Sequence, residues 1–275
     1  MRVKTRDRVG VICLGLSLLA VAVTGTVLDG QAGLDQAPSA LNGVIALNPS
    51  AVYQTMRGWE AIAEAGRHNP RFGIYAPIVF DQVVAAGIDR VRLEVRAGSE
   101  NTTDSYGEWA AAGYPESGAA YTRWRATRYE TINDNADPNV IDASGFKWSE
   151  IDDTIETTVN PLRQRLAARG ESLYVNLTYV AFTAQIASGL YIHDQRAEYA
   201  EFMLALFEHL QAKYGWVPNA IEVMLEPDNV PQWRSGTLIG QTVVETGRRL
   251  AAAGFTPDFI APSTTNMANA SIYFD

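Results

Sequence analysis

From residue 50 onward the apolar and polar positions fall into a recurring order. A strand-like run is followed by an amphipathic helical stretch, a glycine, and another strand-like run. Candidate strands cover roughly 52–59, 90–97, 172–180, 220–226 and 258–263. In the second, Val91, Leu93 and Val95 alternate with Arg92, Glu94 and Arg96. In the fourth, Ile221, Val223 and Leu225 alternate with Glu222, Met224 and Glu226. Such a period of two marks a strand with one apolar face. Helical spacing predicts a helix over about 149–169, with Ile151, Ile155, Val159, Leu162 and Leu166 on one side. Two more are predicted over about 195–213, with Phe202, Leu206 and Leu210 aligned, and over about 237–253. Ser149 with Asp152 three residues on suggests a capping-box start. Pro161, which lacks an N–H, predicts a kink. Gly87, Gly170, Gly215 and Gly254 stand where helices should end, because glycine takes the left-handed conformation without a Cβ penalty.

Strands alternating with helices predict a parallel α/β sheet. An open doubly wound sheet is covered on both faces, so its strands read as continuously apolar. A (β/α)8 barrel instead has a lumen that accepts charged side chains near its mouth. The alternation of apolar and charged positions favours the barrel, and no Gly-x-Gly-x-x-Gly turn follows any strand. The expected fold is therefore α/β, a (β/α)8 TIM barrel of which about five units are present. Residues 50–275 would form its N-terminal part, with an aromatic-rich insertion at 98–148.

The first 26 residues read differently. Arg2, Lys4, Arg6 and Arg8 precede an apolar run from Val9 to Val23 that ends in small residues. This pattern predicts a secretory signal peptide and a secreted or periplasmic protein. An extension or linker follows over 27–49. Removing the signal takes away four basic and one acidic side chain, so the formal charge moves from −9 to near −12. An acidic chain without a basic run makes nucleic acid an unexpected partner, and no membrane contact is expected once the signal is gone. Cys13, the only cysteine, lies in the signal, so a mature chain has neither disulfide nor thiol chemistry.

Carboxylates and arginines remain as carriers of chemistry. His68, His193 and His209 are scattered without metal-ligand spacing, and neither a Gly-x-Ser-x-Gly elbow nor a phosphate loop occurs. No cofactor and no metal are implied. Glu226 ends an apolar strand and is followed by Pro227. Parallel barrels place catalytic groups at such strand ends, where an apolar wall can favour a protonated carboxyl. Tyr106, Trp109, Tyr114, Tyr121, Trp124, Tyr129 and Trp148 mark the insertion. They suit sugar stacking, and equally a satellite core that holds a long loop together.

The segment Ile221-Glu-Val-Met-Leu-Glu-Pro-Asp-Asn229 resembles the fourth-strand Asn-Glu-Pro motif of the retaining clan A glycoside hydrolases. Family 30, with its glucosylceramidases and xylanases, is the most similar. Gln54-Thr-Met-Arg-Gly-Trp59, Val91-Arg-Leu and Ala261-Pro-Ser-Thr-Thr resemble that family's first, second and fifth strands. The resemblance implies a glycosidase acting on an oligosaccharide, polysaccharide or other glycoside. Glu226 would be its general acid/base and Arg92 a brace for the carboxylates. Trp59, Asn229 and Trp233 are expected to line the sugar site. Asn176 is a further contact, or a structural hydrogen-bonder. The family's asparagine before the acid/base is Leu225 here. Its nucleophile ends strand seven, so the 275-residue chain alone is expected to be inactive. A non-catalytic carbohydrate-binding barrel is the alternative.

Overall fold

The computed structural model describes residues 48, 50–52 and 55–274. Contacts divide the chain into residues 1–54 and 55–275, and every described strand and helix belongs to the second unit. The expected signal at 1–26, Cys13, nearly all of the extension at 27–49, and Gln54 lie outside the described residues.

Among the described residues five strands form one sheet: β1 (Trp59–Ile62), β2 (Ile88–Arg96), β3 (Tyr174–Val180), β4 (Ala220–Glu222) and β5 (Asp258–Ile260). Every pairing is parallel, and the spatial order follows the chain from β1 to β5. This order has no reversal point of the kind a doubly wound sheet carries. The period-two reading holds best in β2, where Val91, Leu93 and Val95 are buried while Arg92, Glu94 and Arg96 are half-buried. Val91, Leu93 and Val95 join Val175, Leu177, Tyr179 and Ile221 in one apolar cluster. The same cluster takes in residues of α1 (Phe72–Ala85), α4 (Ser149–Thr154), α5 (Asn160–Ala167), α6 (Arg196–Tyr214) and α7 (Gly236–Ala252). The helices thus meet the sheet on its apolar positions and leave a polar face of Arg92, Glu94, Asn176, Thr178 and Glu222.

Several expected boundaries move. The first strand starts at Trp59 instead of ending there. Gly58 has φ 145°, and a Cβ added to it would stand 2.3 Å from the Asp89 carboxylate. Trp59 N also donates to Asp89 Oδ1 at 3.2 Å, so pairing begins only past this tight approach. In the fourth strand, regular pairing stops at Glu222, and Val223 and Met224 both enter the main core. The alternation expected to carry Glu226 onto Glu222's register is therefore broken. Ser149 is not a cap either: Trp148 occupies that position, and Ser149 Oγ donates to Asp104 Oδ1 at 2.6 Å. The Pro161 kink takes the form of a π turn, Ile155–Val159, between α4 and α5. Widening the turn is a common way to relieve a disturbed i→i−4 ladder. The four helix-ending glycines have φ between 71° and 88° as expected.

The insertion after β2 folds into α2 (Ser105–Ala111), α3 (Ala119–Thr127) and short turns. Tyr106, Trp109 and Trp124 form a satellite core with Tyr114 and Tyr121 packed against it. Trp148 instead stacks on Phe146 and packs against the main core. Among the described residues no helix is long and apolar enough to cross a membrane.

Candidate active site

Beyond β4 the chain makes two anchored steps toward its neighbours. Leu225 N donates to Tyr179 O at 3.0 Å, and Glu226 N donates to Ser263 O at 2.9 Å. Glu226 then adopts φ 52°, ψ 55°, in the left-handed region. Asn229 N closes a turn back onto Glu226 O at 2.9 Å. A β-unbranched L-residue in this region costs on the order of 1–3 kcal/mol, and the surrounding hydrogen bonds hold it there. Among the described residues only Glu226 and Tyr114 are non-glycine residues with positive φ. The turn lifts the Glu226 side chain off the strand at the carboxyl end of the sheet, half-buried.

Asn229 Nδ2 donates to Glu226 Oε2 at 2.9 Å and to Thr265 Oγ1 at 2.7 Å. The neighbouring Asp228 accepts from Thr265 N at 2.9 Å and from Asn269 Nδ2 at 2.7 Å. Burial opposes ionisation of Asp228, but these hydrogen bonds outweigh it and hold its carboxyl below the usual range. Residues after β5 thus fix the loop after β4. This leaves Glu226 with one amide donor on a half-buried side chain.

Deeper on the polar face lies a buried carboxylate, Glu222. It accepts from Thr178 Oγ1 at 2.7 Å and Asn176 Nδ2 at 3.2 Å, and Ser263 Oγ donates to its other oxygen. Asn176 also reaches Glu60 Oε1 at 3.3 Å. Asn176 thus links two carboxylates on the polar face. Arg92 pairs with Glu94 at 3.6 Å, and Arg96 joins the same carboxylate at 3.3 Å and also pairs with Glu150. Burial pushes the Glu94 carboxyl up, while Arg96 and Arg92 pull against that shift. These side chains form an ion-pair cluster. Among the described residues Glu226 makes no ion pair with this cluster.

Two aromatic expectations are corrected. Trp59 is the first residue of β1, opposite Ile88 at the start of β2, at the far end of the sheet from Glu226. Trp233 is fully buried, donates Nε1 to Tyr191 OH at 2.6 Å, and packs on Tyr199 and Tyr179. Neither presents a face to a ligand at Glu226. The aromatic that packs beside Leu225 was one of seven in the insertion with nothing to single it out. Tyr129 packs with Val180 and Leu225, the residue next to Glu226. Arg128 caps its ring at 4.8 Å, and Phe182 meets it edge-on at 5.6 Å. Leu225 thus lies apart from the main core that holds Ile221 and Val223. No family model, curated protein or solved structure matches the chain. The glycosidase resemblance therefore rests on the short motifs themselves. Among the described residues no group of three or more His, Cys, Asp or Glu side chains is arranged to hold a metal ion.

Proposed function

We propose that the chain carries the general acid/base half of a retaining glycoside hydrolase, with Glu226 as the proton donor and acceptor. The observation that carries this reading is Glu226's strained backbone, seated just past the carboxyl end of a parallel strand. Strain of this kind persists where the surrounding structure over-determines it, and it clusters at working sites. A carboxyl in this place protonates the departing glycosidic oxygen and later takes a proton from water. Asn229 orients its Oε2. In this reading the sheet is the first part of a (β/α)8 barrel. Its sequential parallel order and its one polar face support that, and the polar face becomes the lumen. Arg92, Glu94 and Arg96 then fill the lumen with paired charge. The protein is secreted or periplasmic, and its substrate is a glycoside or a larger glycan.

Retention needs a second carboxylate about 5 Å from the first. Glu94 and Glu222 are already engaged by cations and by hydroxyl and amide donors, respectively. In this reading neither of these two is the attacking carboxylate. The test is Glu226→Gln in the full-length protein. Turnover of an unactivated alkyl glycoside should fall at least ~100-fold, in line with a general acid's usual contribution. An unchanged rate removes Glu226 from the mechanism.

One observation favours a second reading, a carbohydrate-binding barrel without catalysis. Leu225 packs on Tyr129 and Val180 where the resembled family has an asparagine for the sugar 2-hydroxyl. Sugar binding by the full-length protein with no hydrolysis of any aryl glycoside would select it.

A further inference from the structure

The second strained residue points to a second site. The loop that leaves β1 and the insertion that leaves β2 enclose a cavity of about 530 Å³, lined by His68, Asn69, Trp109, Tyr114, Glu116 and Tyr121. This volume falls within the range of about 300–1,000 Å³ usual for small-molecule clefts. We propose that this cavity is a binding site for a pyranose ring, separate from Glu226.

One of its rings, His68, is tied into a buried polar network. Arg67 Nε donates to Asp153 Oδ2 at 3.0 Å, and Arg67 Nη1 donates to Glu64 at 2.6 Å. Tyr106 OH donates its one proton to the same Asp153 oxygen at 2.5 Å. The 3.0 Å contact between His68 Nε2 and Tyr106 OH must then run from the imidazole to the phenol. This fixes the tautomer: Nε2 carries the proton, and Nδ1 is left as an acceptor. Among the described residues Nδ1 has no hydrogen-bond partner. Burial, with Arg67 adding to it, pushes the His68 pKa down to about 4, so the ring stays neutral near pH 7.

Tyr114 completes the wall. Its φ is 55° and follows Gly113 at 81°, a costly pair for a tyrosine. Trp109 Nε1 donates to Pro115 O at 2.8 Å, and Tyr114 N donates to Trp109 O at 3.2 Å, which hold the strained turn. The Tyr114 ring lies 4.7 Å from His68 and meets Trp109 nearly perpendicular at 5.1 Å. A pure packing role would not require backbone strain, and the ring remains half-exposed.

The chemistry selects the ligand. Ring faces suit the C–H face of a sugar, while a neutral nitrogen acceptor, an amide and a carboxylate suit hydroxyls. A quaternary ammonium is a poorer fit. It has no proton for His68 Nδ1, and the rings pack on each other as a wall instead of closing around a point charge.

The ligand class rests on this lining alone; only the site's service to catalysis rests on the reading of Glu226. Saturation-transfer NMR on the full-length protein tests it, with methyl β-D-glucopyranoside, methyl β-D-xylopyranoside and their disaccharides as probes and tetramethylammonium as the cationic control. Wild type should bind a pyranoside, and Tyr114→Phe, which keeps the ring, should retain that binding. Tyr114→Ala should bind at least about tenfold more weakly, the loss expected for one stacking ring. Tyr121→Ala gives a second reading should Tyr114→Ala fail to fold. Binding undiminished in both alanine variants, tetramethylammonium binding in place of sugar, or no probe binding at all overturns the proposal. Retained, Tyr114-dependent binding without Glu226-dependent hydrolysis sinks the catalytic reading and leaves this site standing.

Discussion

Glu226 and Tyr114 hold backbone conformations that glycine would adopt freely. For Glu226 this yields a stability prediction independent of any substrate. Glu226→Gly relieves left-handed strain and gives up one exposed hydrogen bond from Asn229. The variant should be at least as stable as wild type in urea denaturation, with a gain of up to ~1 kcal/mol. A loss of more than ~1 kcal/mol would mean that Glu226 is kept for structure, not for chemistry. His68 works in the opposite direction. Its folded pKa of about 4 lies below its ordinary 6.5, so its share of stability is present above pH 6.5 and is lost as pH falls toward 4. His68→Phe should flatten the stability profile over that interval, as read by thermal melts. An unchanged acid limb would show that the imidazole is not desolvated. Glu226 could be singled out from sequence because a proline follows it at a strand end. Tyr129 could not, because its contact with Leu225 spans nearly a hundred residues and depends on how the insertion returns.

The insertion returns against Gly98, just past β2. Gly98 N donates to Arg128 O at 3.1 Å, and a Cβ at Gly98 would stand 2.4 Å from Thr127 O. Both neighbours are backbone and cannot swing aside. Gly98→Ala should therefore cost about 1–3 kcal/mol, measured by denaturation, and displace Tyr129 from Leu225. A neutral effect would show that the insertion does not rest on this approach. α6 carries a different liability. Glu201 is buried with Oε1 unpartnered, and burial together with Asp134, Glu198 and Glu100 outweighs Arg249 and pushes its pKa up to about 8. A raised carboxyl stabilises fully below its ordinary 4.5, and that stability is lost as pH rises through 8. Glu201→Gln should remove this decline in urea midpoints followed across the interval. The same decline in the variant would place its origin elsewhere. Among the elements, β2 and α6 were legible because apolar periodicity set them directly. β1 was not: residues 52–58 alternate plausibly, but where pairing starts is decided by Asp89, thirty residues away. The exit of β4 was misread because periodicity cannot reveal where a strand breaks.

Taken together, the described unit is a sequential parallel sheet with its apolar positions against helices and its polar face lined by Arg92, Glu94, Asn176, Thr178 and Glu222. The parallel α/β class was legible because strand and helix periods alternate along the chain. Closure into a barrel depends on pairing at the free edges of β1 and β5, which alternation within one strand does not encode. Trp59 and Trp233 were assigned to the sugar site by proximity in sequence to strand ends, and packing put one at the opposite end and the other inside. Glu226 and Asn229 lie at the carboxyl end of the sheet, and an aromatic cavity lies on adjoining loops. The most direct test compares leaving groups. In the full-length protein, Glu226→Gln should form the glycosyl-enzyme at near wild-type rate from a dinitrophenyl glycoside, whose leaving group needs no proton, and at least ~100-fold more slowly from an alkyl glycoside. An equal loss on both substrates, or no loss on either, would contradict Glu226 as the proton donor.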